Sequence, residues 1–263
     1  VDTTCEMVLF AGNLLDILDV LEANGYQEKD AQERRTFLEK DKAETIQIIN
    51  QNMWNKDKGF YFDVTKDGEQ CPVKTAAAFW ALISKTADKE QQRCLVQWLE
   101  DEHTFKRIHR VPVLAADEPG YDPNGGYWSD SVWAPTNAMI VLGLEKCGYP
   151  KVARDIAMNH LDVINRVYQK TGTIWENYPA DSISSGDADH ADMVGWSGIA
   201  PILYLIQYAI GLHIPEGKDY LEWNLNREML ENGKVGCLQY WFAGKTADFE
   251  AVKEDHTVKI SVR

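Results

Sequence analysis

Three short stretches set tryptophan beside a carboxylate or a small polar residue at the edge of an expected helix. They are GGYWSDSVWAPTN (125–137), GTIWENYPADS (172–182) and DMVGWSG (192–198). In the second, Glu176 stands between Trp175 and Asn177. A carboxyl group flanked by aromatic surface has its pKa pushed up by desolvation or held down by hydrogen bonds, and either suits it to proton transfer. The plainer alternative is structural, with Glu176 capping a helix or pairing with Arg166 or Lys170. In the first stretch Tyr127, Trp128 and Trp133 surround Asp130, behind a glycine pair and ahead of a helix expected to begin near Ser131. Flat amphipathic rings stack on sugar rings. For a chain with 9 Trp and 11 Tyr, however, composition alone favours core filling.

Other chemistries find less support. His190 with Asp187, Asp189 and Asp192 has the atoms for a cation site, but the spacing is not that of an EF-hand, and an acidic exposed loop is expected. His103 and His109 lie in HTFKRIHR, which reads as a solvated basic loop. NGG (124–126) lacks the strand–turn–helix context and lysine of a phosphate loop, and no G-x-S-x-G occurs. The five cysteines form no C-x-x-C pair, so no zinc or redox centre is expected, and no metal or cofactor. A formal charge of −14 argues against nucleic acid and anionic membrane surfaces as partners. The longest apolar run, GIAPILYLIQYAIGL, is broken by Pro201 and Gln207 and reads as a buried helix rather than a membrane span. The compartment is left open, with a secreted or periplasmic one favoured over the cytoplasm.

The elements that must position these stretches are mainly helical. Apolar periodicity predicts helices over about 6–23, 28–52, 74–86, 88–100, 131–147, 150–169 and 192–212. GFYFDV, KDGE and QCPV suggest a short hairpin between the second and third of these. Residues 101–130, rich in Pro and Gly, form a long irregular stretch of the kind that is usually functional. LEANGYQEKDA (21–31) and LEKCGYPKVA (144–153) echo one another, each capping a helix with Gly25 or Gly148 and turning into a partner. Repeated antiparallel hairpins of this kind close into an (α/α) toroid whose loops gather at one end. After residue 215 the pattern changes: YLEWNL, VGCLQYWFAG and HTVKISVR alternate as strands do. The expected division is a helical region over 1–215 and a β-rich region over 216–263.

Taken in order, four blocks resemble the (α/α)6-barrel glycoside hydrolases of families 37 and 63, which include trehalases, processing glucosidases and mannosylglycerate hydrolases. The blocks are WNKDKGFYFDV with VKTAAAFWAL, GGYWSDSVWAPTNAMIVLGLEKCGY, GTIWENY and MVGWSG, and the likeness runs over about residues 1–212. The resemblance implies an inverting hydrolase of an α-linked gluco- or manno-configured sugar, with Glu176 as the general base that activates water. Tyr127, Trp128, Trp133 and Trp196 would line the sugar pocket beside Trp175. Asn137 and Tyr178 would orient hydroxyls or the base. The families' general acid, an Asp more than a hundred residues before the base, has no counterpart in VDTTCEM, and about seven core helices are counted where a full barrel has twelve. The chain is therefore expected to be the C-terminal part of a larger enzyme, with the acid on sequence not present or on another chain. Asp130, where relatives carry a different group, would bind sugar or act as an acid itself. The alternative from another class is a non-catalytic carbohydrate-binding toroid. A sugar epimerase ranks last, because no histidine lies in the aromatic blocks.

Overall fold

A computed structural model describes residues 1–26, 29–185, 195–215, 218–255 and 257–263. The first hairpin pairs α1 (Asp2–Ala23) with α2 (Ala31–Ile48). Gly25 ends α1 at φ 81, and Tyr26 N donates back to Leu21 O at 3.0 Å. Arg35 then clamps the pair, reaching Asp19 at 2.7 Å and Glu22 at 3.2 Å. The helix expected over 28–52 begins at Ala31 and widens into a π turn over Ile49–Met53.

Two small hairpins follow where one is expected. β1 (Trp54–Asn55) pairs with β2 (Phe60–Tyr61), and β3 (Asp63–Val64) with β4 (Gln70–Cys71). The helix expected over 74–86 shrinks to a 3-10 turn over Ala76–Phe79 and one α-turn, α3 (Trp80–Ile83). Pairing with a segment distant in sequence explains the loss. Thr75 bridges Leu114, and Ala76 N donates to Val113 O at 2.8 Å, so this backbone is used as a strand. α4 (Lys89–Glu100) starts at a capping box, in which Asp88 accepts from Gln91 N and Gln91 accepts from Asp88 N.

α5 (Ala134–Cys147) and α6 (Pro150–Thr171) form the second long hairpin, joined through Gly148 at φ 85. The echo in the sequence thus marks two helix ends closed by a left-handed glycine. α5 starts at Ala134 rather than near Ser131, because Val132 is taken up in a backbone bridge to Tyr178. Of the helix expected over 192–212, residues 192–194 lie outside the described residues, and the rest is a 3-10 turn at Trp196–Gly198, α7 (Ile199–Tyr204) and a π turn at Leu205–Ile210. Pro201 falls within α7, and Gly211 at φ 96 ends the run.

β5 (Leu212–His213) pairs with β6 (Glu222–Trp223), all that remains of the strand expected in YLEWNL. β7 (Lys234–Phe242), β8 (Lys245–Glu254) and β9 (Thr257–Val262) make an antiparallel meander in that order, with a bulge between Cys237 and Tyr240. The central strand, KTADFEAVKE, is the one that the sequence reading passed over. Its outer face is polar, and only Ala251 is fully buried.

One large core holds the helices together, from Cys5 and Val8 of α1 through Phe60, Phe79 and Leu95 to Ile140, Ile156 and Tyr204. Gly143 lets α5 close on α3, since a Cβ there would sit 2.8 Å from Ile83 N. A smaller cluster of Leu230, Val235 and Ala251 packs against Ile210 and Trp223. All five cysteines are free. No helix among the described residues is long and apolar enough to cross a membrane.

Candidate functional site

The site is built on the bridge that shortens α5. Val132 N donates to Tyr178 O at 2.7 Å and Tyr178 N returns to Val132 O at 3.1 Å, which lays the stretch 125–137 alongside 172–182. Before the bridge the chain makes a tight turn. Gly125 takes φ 91 with its missing Cβ facing Pro179, and Tyr127 takes φ 66, a region costly for a residue with a side chain. Asp130 closes this turn by accepting from Gly126 N.

The turn aims Tyr127 at Glu176, with the Tyr127 hydroxyl donating to Glu176 Oε1 at 3.3 Å. The third stretch arrives through Ser197, whose Oγ donates to the Glu176 backbone carbonyl at 2.6 Å. Glu176 is only 6% exposed, and its Oε2 has no hydrogen-bond partner among the described residues. The plainer alternative for Glu176 is not what is found: Arg166 faces Asp162, and Lys170 donates to Ile183 O.

Next to this carboxyl group Tyr127 belongs to a set of four interlocking aromatic rings. Trp128 stacks on Trp133 at 3.8 Å with 9° between planes, and Trp196 meets Trp128 and Trp133 edge-on at 6.2 and 5.9 Å. Tyr127 packs edge-on to Trp133 at 4.9 Å, and Trp133 Nε1 donates to Tyr127 O at 3.3 Å. The rings divide by exposure: Trp133 is 0% exposed, Trp128 49% and Trp196 45%. Trp133 is thus a buried base for two half-exposed rings. A half-exposed cluster of indoles, linked through Tyr127 to a buried carboxylate, suits a flat amphipathic ligand and a proton acceptor.

The other site residues expected from the sequence stand behind this surface. Asp130 is buried inside its turn. Burial pushes its carboxyl pKa upward, partly opposed by backbone N–H groups of Gly126 and Asp122. Asn137 is fully buried, with Nδ2 donating to Arg110 O at 3.2 Å. Tyr178 lies in a second apolar cluster with Val163, Ile164 and Val167, and its hydroxyl accepts from Trp175 N at 3.0 Å. Trp175 packs on the same cluster and donates from Nε1 to Thr171 Oγ1. Tyr127 thus links Glu176 to Trp133, Trp128 and Trp196, while the buried Asp130, Asn137 and Tyr178 stand behind them and the partly exposed Trp175 packs beside Tyr178.

HTFKRIHR corrects its expectation. Thr104, Phe105, His109 and Arg110 of this stretch are buried rather than solvated. His109 Nε2 lies 2.7 Å from His160 Nδ1, and burial pushes the pKa of both imidazoles down, that of His160 to about 3. Residues 109–113 are buried without interruption, so no alternation marked them in the sequence, while Arg107 and Lys106 drew the reading toward solvent. The acidic group around His190 lies outside the described residues. Among those described, no group of three or more His, Cys, Asp or Glu is arranged to hold a metal.

The chain matches the family model of the mannosylglycerate hydrolase MGH1-like glycoside hydrolase domain over residues 8–196. It is 29% identical over 116 residues to a mannosylglycerate hydrolase of Thermus thermophilus, covering 43% of this chain and 27% of that protein. A solved family 63 mannosylglycerate hydrolase from the same species, in complex with glucose, superposes with TM-score 0.61 at 21% identity, over 78% of this chain and 47% of that one. A neutral trehalase from Saccharomyces cerevisiae superposes with TM-score 0.62 at 22% identity, over 76% of this chain and 36% of that one. The helical region thus has the fold of the (α/α)6-barrel hydrolases, and the chain spans less than half the length of these proteins. With the match extending from α1 to Trp196 and taking in the aromatic stack and Glu176, the chain belongs to the MGH1-like glycoside hydrolase domain family.

Proposed function

We propose that this chain carries the base side of the active site of an inverting glycoside hydrolase that cleaves an α-linked gluco- or manno-configured sugar. The observation that carries the reading is Glu176 itself: buried, held at one oxygen by Tyr127, whose ring packs on the Trp133 that also carries the half-exposed Trp128 and Trp196. In this reading Oε2 takes the proton of a water that attacks the anomeric carbon from the face opposite the leaving group. Inversion needs that water between two carboxyl groups roughly 6.5–9.5 Å apart, one as base and one as acid. The names of the relatives, mannosylglycerate hydrolase and trehalase, support the sugar class.

The acid comes from polypeptide outside this chain. Two observations support that part. The chain covers less than half of the hydrolases it matches. α1 also leaves an apolar face open to solvent, where Phe10, Leu14, Ile17 and Val20 line up one turn apart. Beside it a groove of about 650 Å³ runs between Leu14, Ile17 and Leu21 on α1 and Phe37 on α2.

The test is the anomer released first when the complete polypeptide acts on α-linked glucosides and mannosides, followed by proton NMR. The β-anomer is expected. The α-anomer would overturn inversion, and sugar binding without any product would point to the carbohydrate-binding toroid instead.

A further inference from the structure

The fully buried histidine pair joins α6 to the segment that carries Glu176, and the hydrogen bonds fix how. Asn159 on α6 spans the backbone on both sides of His109, with Nδ2 donating to Ile108 O at 2.9 Å and Oδ1 accepting from Arg110 N at 2.8 Å. His109 N donates to Ala180 O at 2.8 Å, and its ring meets that of Tyr178 at 5.6 Å. Two residues away, Arg107 Nε donates to Asp181 Oδ1 at 2.7 Å. The stretch 107–110 therefore acts as a template for 178–181, immediately after Glu176.

The tautomers follow from the neighbours. Asn137 Nδ2 faces Arg110 O, an acceptor, so this atom is the amide nitrogen and it donates. The same nitrogen is 3.1 Å from His160 Nδ1, which must therefore accept, leaving the proton of His160 on Nε2. His109 Nε2, 2.7 Å from that same Nδ1, must then be a donor. One lone pair organises two donors. A proton added at His160 Nδ1 would set N–H against N–H on both sides at once.

We propose that the His109–His160 pair is a positioning element for Glu176, which holds the 176–181 segment in place while both imidazoles are neutral and lets it go when acid charges them. Among the described residues no carboxylate compensates such a charge. The titratable and charged groups nearby are Arg110, itself paired with Glu100, the ring of Tyr178 at 5.6 Å from His109, and the ring of Tyr204 on α7 at 5.7 Å from His160. Burial, and for His109 also the other imidazole, holds both rings neutral in the fold. The sign follows. The released state takes up protons near the ordinary pKa of 6.5, and the closed state only near about 3 for His160. The latch is at full strength above pH 6.5 and weakens as pH falls through that window, by roughly tenfold in the opening equilibrium per pH unit for one proton taken up. The catalytic significance of the latch rests on Glu176 being the base, whereas its existence does not.

Hydrogen exchange of the full chain, read by mass spectrometry at pH 7, 6, 5 and 4 and corrected for intrinsic rates, tests it without a substrate. Protection of 176–181 is expected to fall at least tenfold between pH 6 and pH 4, with α5 unchanged. The double variant His109→Gln with His160→Asn is uncharged at every pH, and its protection of 176–181 is expected to vary less than threefold. Equal pH dependence in both proteins, or a loss shared by α5, overturns the proposal. If the double variant does not fold, imidazole ¹⁵N shifts of the unmodified protein decide. Both rings neutral with the proton on Nε2 at pH 6 support the latch, and a charged ring or an Nδ1–H tautomer at either residue overturns it. An active Glu176→Gln enzyme would leave these results standing, and a failed latch would leave Glu176 as the base.

Discussion

Glu176→Gln in the complete polypeptide is expected to lower kcat by about 10²- to 10⁴-fold, the range for loss of a positioned general base. The substitution keeps the shape of the side chain and an oxygen for the Tyr127 hydroxyl at Oε1. It leaves the Ser197 bond untouched, because that bond is to the Glu176 backbone carbonyl. What it removes is the capacity of Oε2 to take a proton. Thermal unfolding is therefore expected to shift by less than about 1 kcal/mol in stability, in the range of substitutions that create neither a cavity nor a buried charge. Steady-state kinetics with an α-linked substrate, alongside a melting curve, separate the two effects. A variant within tenfold of the parent kcat would remove Glu176 from the role of base.

Trp133→Ala has the largest expected effect on the fold of this region. The ring is fully buried, stacked face to face on Trp128 and met edge-on by Tyr127 and Trp196. Removing it leaves a cavity that the two exposed indoles would have to collapse into, at a cost of about 3–5 kcal/mol. Trp128→Ala deletes a ring already 49% exposed and is expected to cost less than half as much, while weakening sugar binding. Urea denaturation of the two variants distinguishes them. Equal losses, or a loss under about 1 kcal/mol for Trp133→Ala, would mean that Trp133 is not the base on which the stack rests.

The long helices were legible because their signals are local. Gly25 and Gly148 each end a helix in the left-handed conformation, and Asp88 with Gln91 forms a capping box three residues apart. The aromatic blocks were legible as blocks, and they do meet: Tyr127 and Ser197 reach Glu176, and Trp128, Trp133 and Trp196 pack on one another. What the sequence left hidden was which of those side chains face outward. That depends on a single pair of backbone hydrogen bonds, between Val132 and Tyr178, which shortens α5 and buries Trp133, Asn137 and Tyr178.

Three other elements were missed for related reasons. α3 lost most of its expected length because residues 74–76 pair with 113–115, a contact about forty residues away in sequence that no local periodicity reports. β8 does alternate, with Ala247, Phe249 and Ala251 set against Thr246, Asp248 and Glu250, but its inward residues are mostly small and its ends are charged, so the run was passed over. His109 and Arg110 read as solvated because the stretch is basic, yet Arg110 meets Glu100 and the Leu99 carbonyl, while His109 meets His160. Charge in a sequence gives no warning of a partner brought in by tertiary structure.

The most direct measurement is a crystal structure of the complete polypeptide soaked with a gluco- or manno-configured monosaccharide. The sugar ring is expected against Trp128 and Trp196, with a hydroxyl or an ordered water within hydrogen-bond distance of Glu176 Oε2. An ordered sugar bound away from these rings, or one bound there with Glu176 turned aside and no water on Oε2, would contradict the assignment of this surface as the base side of a glycoside hydrolase site.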